Sequence, residues 1–132
     1  MEQIKINTRE VELINLTPHE VSILTRESGQ FRNLPIEIAK TFYPSGTVAR
    51  VSYSPHIVEK LKVGDIEIAV TRIKTFNVTN LPEPKEGVAY IVSKAVAEVA
   101  KDRQDLYVLF GLRREKNGRV LGGTGLSQVK HV

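Results

Sequence analysis

The run Val88-Ala89-Tyr90-Ile91-Val92 constrains this chain more than any other segment. Successive side chains of a strand point to opposite faces, so five apolar residues in a row require cover on both sides. A sheet with one face open to water is excluded there, and the strand belongs at the centre of a layered fold. At 132 residues the chain has room for one such core and no second. A single domain over residues 1–132 is expected. Its 41% hydrophobic and 26% charged residues match an ordinary globular protein rather than a disordered one.

The remaining punctuation fills in the elements. Val11 to Leu16 and Val21 to Thr25 read as strands around the turn Thr17-Pro18-His19-Glu20, and Thr47 to Tyr53 alternates apolar and polar residues. Glu27-Ser28-Gly29-Gln30 signals a second turn, and residues 31–43 lean towards strand. Ser54-Pro55 followed by Ile57, Val58 and Leu61 has the N-cap, first-turn proline and spacing of a two-turn helix over residues 54–61. Residues 66–78 form a longer strand pair or one bent strand. Pro82 and Pro84 keep residues 81–87 out of helix and central strand. Ser93 caps a helix over residues 94–102, with Val96, Val99, Ala100 and Arg103 on one stripe. Leu106 to Leu112 is a strand that turns back at Asn117-Gly118, a pair suited to a tight hairpin. The expected fold is α+β: a strand-rich single domain with a mixed or antiparallel sheet and two short helices.

Several chemistries drop out. The chain has no cysteine, so disulfides, thiolate metal sites and thiol nucleophiles are excluded. No apolar run approaches the length of a membrane span, and residues 1–10 carry charges where a signal peptide would be apolar, so a cytoplasmic protein is expected. His19-Glu20 lacks the second histidine of a zinc-binding helix, and His56 and His131 lie far off in sequence. No Gly-x-Ser-x-Gly elbow is present. Gly118 to Gly125 is rich in glycine, yet only seven residues follow Gly125, which leaves no helix to receive a phosphate. Neither a cofactor nor a metal is expected.

Charge is placed unevenly. Eight Lys and Arg match eight Asp and Glu up to Asp65, so the net +4 arises in the second half. From Arg103 to Lys130 six basic residues meet only Asp105 and Glu115. Such a stretch serves as a solvated strand edge or as an anion site. If it is a site, His19, Arg50, Arg113, Arg114 and Arg119 are its residues, with guanidinium groups pairing to phosphate or carboxylate. Strand alternation puts Arg113 and Arg114 on opposite faces, and likewise Tyr107 and Phe110, which limits both a cationic patch and an aromatic stacking platform.

Asn15-Leu16-Thr17-Pro18-His19-Glu20, residues 44–51 (Pro-Ser-Gly-Thr-Val-Ala-Arg-Val), Leu81-Pro82-Glu83-Pro84 with Gly87, and Tyr90-Ile91-Val92-Ser93 occur in an order that resembles a family of small phage- and prophage-associated proteins. Arg103, Asp105, Leu106, Tyr107 and Asn117-Gly118-Arg119 extend the resemblance over most of the chain. Members often carry a cysteine near the position of Gly123, which this chain lacks. The resemblance implies a mobile-element accessory protein, a type that often binds host factors or signalling molecules, and it assigns no residue a role. The function expected is thus a non-catalytic binding module, a homo-oligomer whose partner is a small anionic, nucleotide-like ligand or a host protein. Two rivals are an enzyme acting on a nucleotide or phosphoester, with His19 as general base and Glu20 or Asp105 orienting it, and a nucleic-acid binder whose affinity falls steeply with salt.

Overall fold

A computed structural model describes residues 6–26 and 35–129. Among the described residues eight strands and one helix are formed: β1 (Glu12–Asn15), β2 (Val21–Leu24), β3 (Ile38–Phe42), β4 (Arg50–Val63), β5 (Ile66–Thr79), β6 (Val88–Ile91), α1 (Lys94–Val99), β7 (Leu106–Arg114) and β8 (Val120–Ser127). Six strands make a mixed sheet in the order β1-β6-β7-β8-β2-β3. A parallel bridge from Asn15 to Pro44, just beyond β3, brings the two edges together, so the sheet nearly closes on itself as a barrel. The other two strands, β4 and β5, pair only with each other as a long antiparallel arm.

β6 occupies the position its composition demands. It runs parallel to both β1 and β7, and all four of its residues are buried. Val88, Tyr90 and Val92 join a core with Leu16, Ala49, Val96, Ala97 and Leu106, against which Val51 and Val78 of the arm's base also pack. Ala89 and Ile91 are buried on the opposite face. Ser93 caps α1 by accepting from the Val96 amide, and Val96 and Ala97 are the helix's buried residues. At Gly122 and Gly123 the strand β8 comes too close to its neighbours for any side chain. A Cβ at Gly122 would lie 2.6 Å from the Ser22 carbonyl, and one at Gly123 would lie 2.5 Å from that of Phe110.

The α+β expectation with two helices is corrected: α1 is the only helix among the described residues, and the fold is a strand-dominated, nearly closed barrel. Residues 54–61, read as a helix from Ser54-Pro55, belong to β4. Two helical turns are marginal in water, and Ile57 and Val58 are β-branched residues that disfavour them. The hairpin turn Gly64-Asp65 instead zips β4 onto β5, with Gly64 at φ +60°, the residue and sign a type II′ turn requires. Pro55 is accommodated next to the register slip between Tyr53 and Pro55, the kind of irregularity at which a strand tolerates proline. The bent strand expected over 66–78 is β5, and the Asn117-Gly118 hairpin forms with Gly118 at φ +90°. The turn at Glu27 to Gln30, the first residues of the 31–43 segment, Lys130 and His131 lie outside the described residues.

Barrel closure centres on Asn15, a buried polar residue with 2% exposure. Its Nδ2 donates to the His19 carbonyl at 2.8 Å and to the Phe42 carbonyl at 2.9 Å. Its Oδ1 accepts from the Thr17 amide at 2.9 Å and from the Thr17 hydroxyl at 2.7 Å. Every hydrogen-bonding position of the carboxamide is thereby used, and the Asn15 carbonyl accepts from Ser45 N at 3.0 Å. Replacing the side chain removes the donor to the His19 and Phe42 carbonyls and the acceptor of the Thr17 amide at the seam. Asn15→Ala is expected to lower unfolding free energy by about 3 kcal/mol in urea titrations; a loss below about 1 kcal/mol would contradict this role.

Candidate functional site

The five residues singled out for an anion site do not converge. His19 sits exposed in the β1–β2 turn, where its carbonyl serves Asn15. Arg50 opens β4 opposite Thr79, whose hydroxyl donates to the Arg50 carbonyl at 3.4 Å. Arg113, Arg114 and Arg119 flank the β7–β8 hairpin, with a bulge between Arg113 and Arg114. There Arg113 Nη1 donates to the Gly111 and Leu112 carbonyls at 3.4 and 3.3 Å, and Arg114 Nη1 to the Gly118 carbonyl at 2.9 Å. These guanidinium groups brace their own hairpin. Arg119 lines a hollow of about 320 Å³ together with Glu20 and Ser22. Glu20 is a neighbouring opposite charge there.

A larger cleft of about 480 Å³ opens elsewhere, between the 84–88 connection, the 102–105 segment and β7. One wall is fixed by Arg103, whose Nε and Nη2 grip both oxygens of Asp105 at 2.8 and 2.7 Å, while Nη2 also donates to the Pro82 carbonyl at 2.8 Å. The pair is largely shielded, with side-chain exposures of 20% and 15%. It pins the proline-rich connection to the end of α1 and the start of β7. The hydrogen bonds from Arg103 hold the Asp105 carboxyl below the usual carboxylate range, and the same bonds raise the Arg103 guanidinium. With both oxygens taken, Asp105 is committed to Arg103 and is not placed to orient His19. Arg9 reaches into the cleft and donates to the Tyr107 hydroxyl at 3.0 Å. Arg9 and Lys85 are balanced there by Glu86 and Asp102, so the cleft has no excess of either sign.

The arm presents a third surface. Along its outer half the register sets Leu61 opposite Ile68, Val63 opposite Ile66 and Glu59 opposite Val70 on one face. Lys60 faces Ala69 and Lys62 faces Glu67 on the other, where Lys60 and Glu67 approach to 4.0 Å. Leu61, Val63, Ile66 and Ile68 are 44–57% exposed. Nearer the base Tyr53 and Phe76 oppose each other and are also exposed. Sequence reasoning missed this surface because Ser54-Pro55 suggested a helix. The signal was nonetheless present: Lys60-Leu61-Lys62-Val63 and Ile66-Glu67-Ile68 alternate strictly on either side of Gly64-Asp65.

The site features thus define a barrel-like, strand-dominated protein with a projecting apolar ribbon. Compared with family models, curated protein sequences and solved structures, the chain shows no significant match. Among the described residues no three His, Asp or Glu side chains gather as a metal site requires, and no helix is long and apolar enough to cross a membrane.

Because the Asp105 carboxyl is depressed in the folded state, its contribution to stability is present above the unfolded value near 3.9 and is lost as pH falls through the lower folded value. Asp105→Asn is expected to cost about 2 kcal/mol at neutral pH and to flatten the acid limb below about pH 4. Urea midpoints from pH 7 to 3 check this, and parallel acid limbs for the two proteins would contradict it.

Proposed function

We propose that the protein is a non-catalytic interaction module of mobile-element type, working in the cytoplasm, in which the barrel is a rigid platform and the β4–β5 arm is the contact surface. The observation that carries this reading is the continuous apolar face of the arm's outer half. Large exposed apolar patches on folded domains serve contacts, since scattered single residues are the norm elsewhere. A catalytic reading gains no comparable support: the one shielded carboxylate of the larger cleft, Asp105, is spent on Arg103, and His19 stands in an exposed turn. A nucleic-acid reading is weakened by the use of Arg113 and Arg114 within their own hairpin and by the charge balance in the cleft.

The contact reading separates two kinds of apolar residue. Those that stabilise the fold are buried; those kept for a partner can be made polar without unfolding the barrel. The double variant Leu61→Glu/Ile68→Glu is therefore expected to unfold within about 2 °C of the parent at a concentration where both are monomeric, because surface changes away from core contacts shift stability little. A cooperative loss of many degrees would make the arm part of the fold and end this reading.

One observation supports a small anionic ligand as a second activity of the module, namely that Arg119 lines the hollow beside Ser22. With no tryptophan and four tyrosines in the chain, a co-purifying nucleotide would dominate the near-ultraviolet spectrum. Natively purified protein is expected to release such an anion on denaturation, and Arg119→Ala to release at least tenfold less, as read by mass spectrometry. Equal release from both proteins, or none from either, would remove Arg119 from the account.

A further inference from the structure

We propose that the arm's occupant is the arm of a second copy: the face bearing Leu61, Val63, Ile66 and Ile68 packs on the same face of another chain across a two-fold axis. This rests on the contact reading above and names the partner.

Three observations lead to a second copy rather than to an unrelated protein. The first is that β4 and β5 make a two-stranded sheet by themselves, and beyond the base, where Val51 and Val78 join the core, the ribbon is exposed on both faces. A lone two-stranded ribbon is marginal in water and needs another layer, which an identical ribbon supplies to both partners at once. Second, the patch is chemically self-complementary. Four aliphatic residues meet four aliphatic residues, while Lys60, Lys62 and Glu67 stay on the far face in solvent with Lys60 already beside Glu67. No buried charge is left that would call for an opposite charge on a different partner, as isologous pairing requires. Glu59 lies at the inner margin of the patch, opposite Val70, where it can remain in water.

Third, the area is that of a weak self-association. The four aliphatic residues at 44–57% exposure give on the order of 800 Å² over two copies, the range of a weak, transient association rather than a permanent one. The association would be concentration-dependent. A bilayer span is a poorer fit, because the apolar stretch of the arm's outer half is far shorter than the hydrocarbon core of a membrane.

The absence of native cysteine makes the test clean. Leu61→Cys, at the centre of the apolar face, is expected to give a disulfide-linked dimer on mild oxidation, and Lys62→Cys on the opposite face at least tenfold less. Sedimentation should show the parent as a dimer or higher assembly and Leu61→Glu as a monomer with an unchanged barrel. A parent that stays monomeric would overturn self-pairing, whether or not it binds phosphatidylcholine and phosphatidylglycerol vesicles. An assembly that Leu61→Glu leaves intact, or equal cross-linking through both cysteines, would also overturn it by placing the interface elsewhere. These failures leave the contact reading standing if Leu61→Glu/Ile68→Glu keeps its stability, whereas loss of the fold in that variant removes both.

Discussion

The Asn15 carboxamide holds the seam on which the rest of this structure depends. A curved six-stranded sheet has two edges, and unless they meet, each presents unpaired amides and carbonyls. Here Asn15 ends β1, binds the last carbonyl of β3 through Phe42, and fixes the turn into β2 through Thr17 and His19. A buried amide is stabilising only when fully partnered, and this one is. Closing the seam also positions Leu16, whose carbonyl accepts from Ala49 and thereby fixes where the arm leaves the barrel.

From that fixed base the arm follows simple rules. Val51 and Val78 pack against the core, and the outer half of the ribbon is maintained by cross-strand pairing and the Gly64-Asp65 turn. Two register shifts, after Tyr53 and after Ile57, bend it and set which residues share a face. The result is a platform whose stability is local to β6 and its neighbours, and a projecting element whose apolar face contributes little to that core. The Arg103–Asp105 clamp does for the proline-rich connection what Asn15 does for the seam, substituting a specific polar contact for hydrophobic burial in a segment that two prolines exclude from the sheet.

Individual elements were legible in the sequence, but their closure into a barrel was not. The doubly apolar run at 88–92 specifies a central strand, Ser93 a helix start, and Asn117-Gly118 a hairpin, because in each case local chemistry and tertiary context agree. Ser54-Pro55 misleads for the opposite reason: its local preference for a helix start is overridden by pairing with β5, which becomes visible only once the alternation on both sides of Gly64-Asp65 is considered together. The proposed grouping of His19, Arg50, Arg113, Arg114 and Arg119 could not be tested along the chain, since their convergence depends on strand order. The order β7-β8-β2 brings Arg119 beside Glu20, and Arg50 instead opens the arm. Seam closure by Asn15 was equally hidden, because a lone asparagine before Leu-Thr-Pro reads as turn chemistry.

Hydrogen exchange measured over a range of protein concentrations tests the division between platform and arm most directly. Amides of β6 and β7 should show protection independent of concentration, as expected of a self-sufficient core, while amides over residues 59–70 should gain protection as concentration rises. Arm amides that are as protected as the barrel at every concentration would contradict the account, since they would make the ribbon an integral part of the fold rather than a surface held ready for a partner.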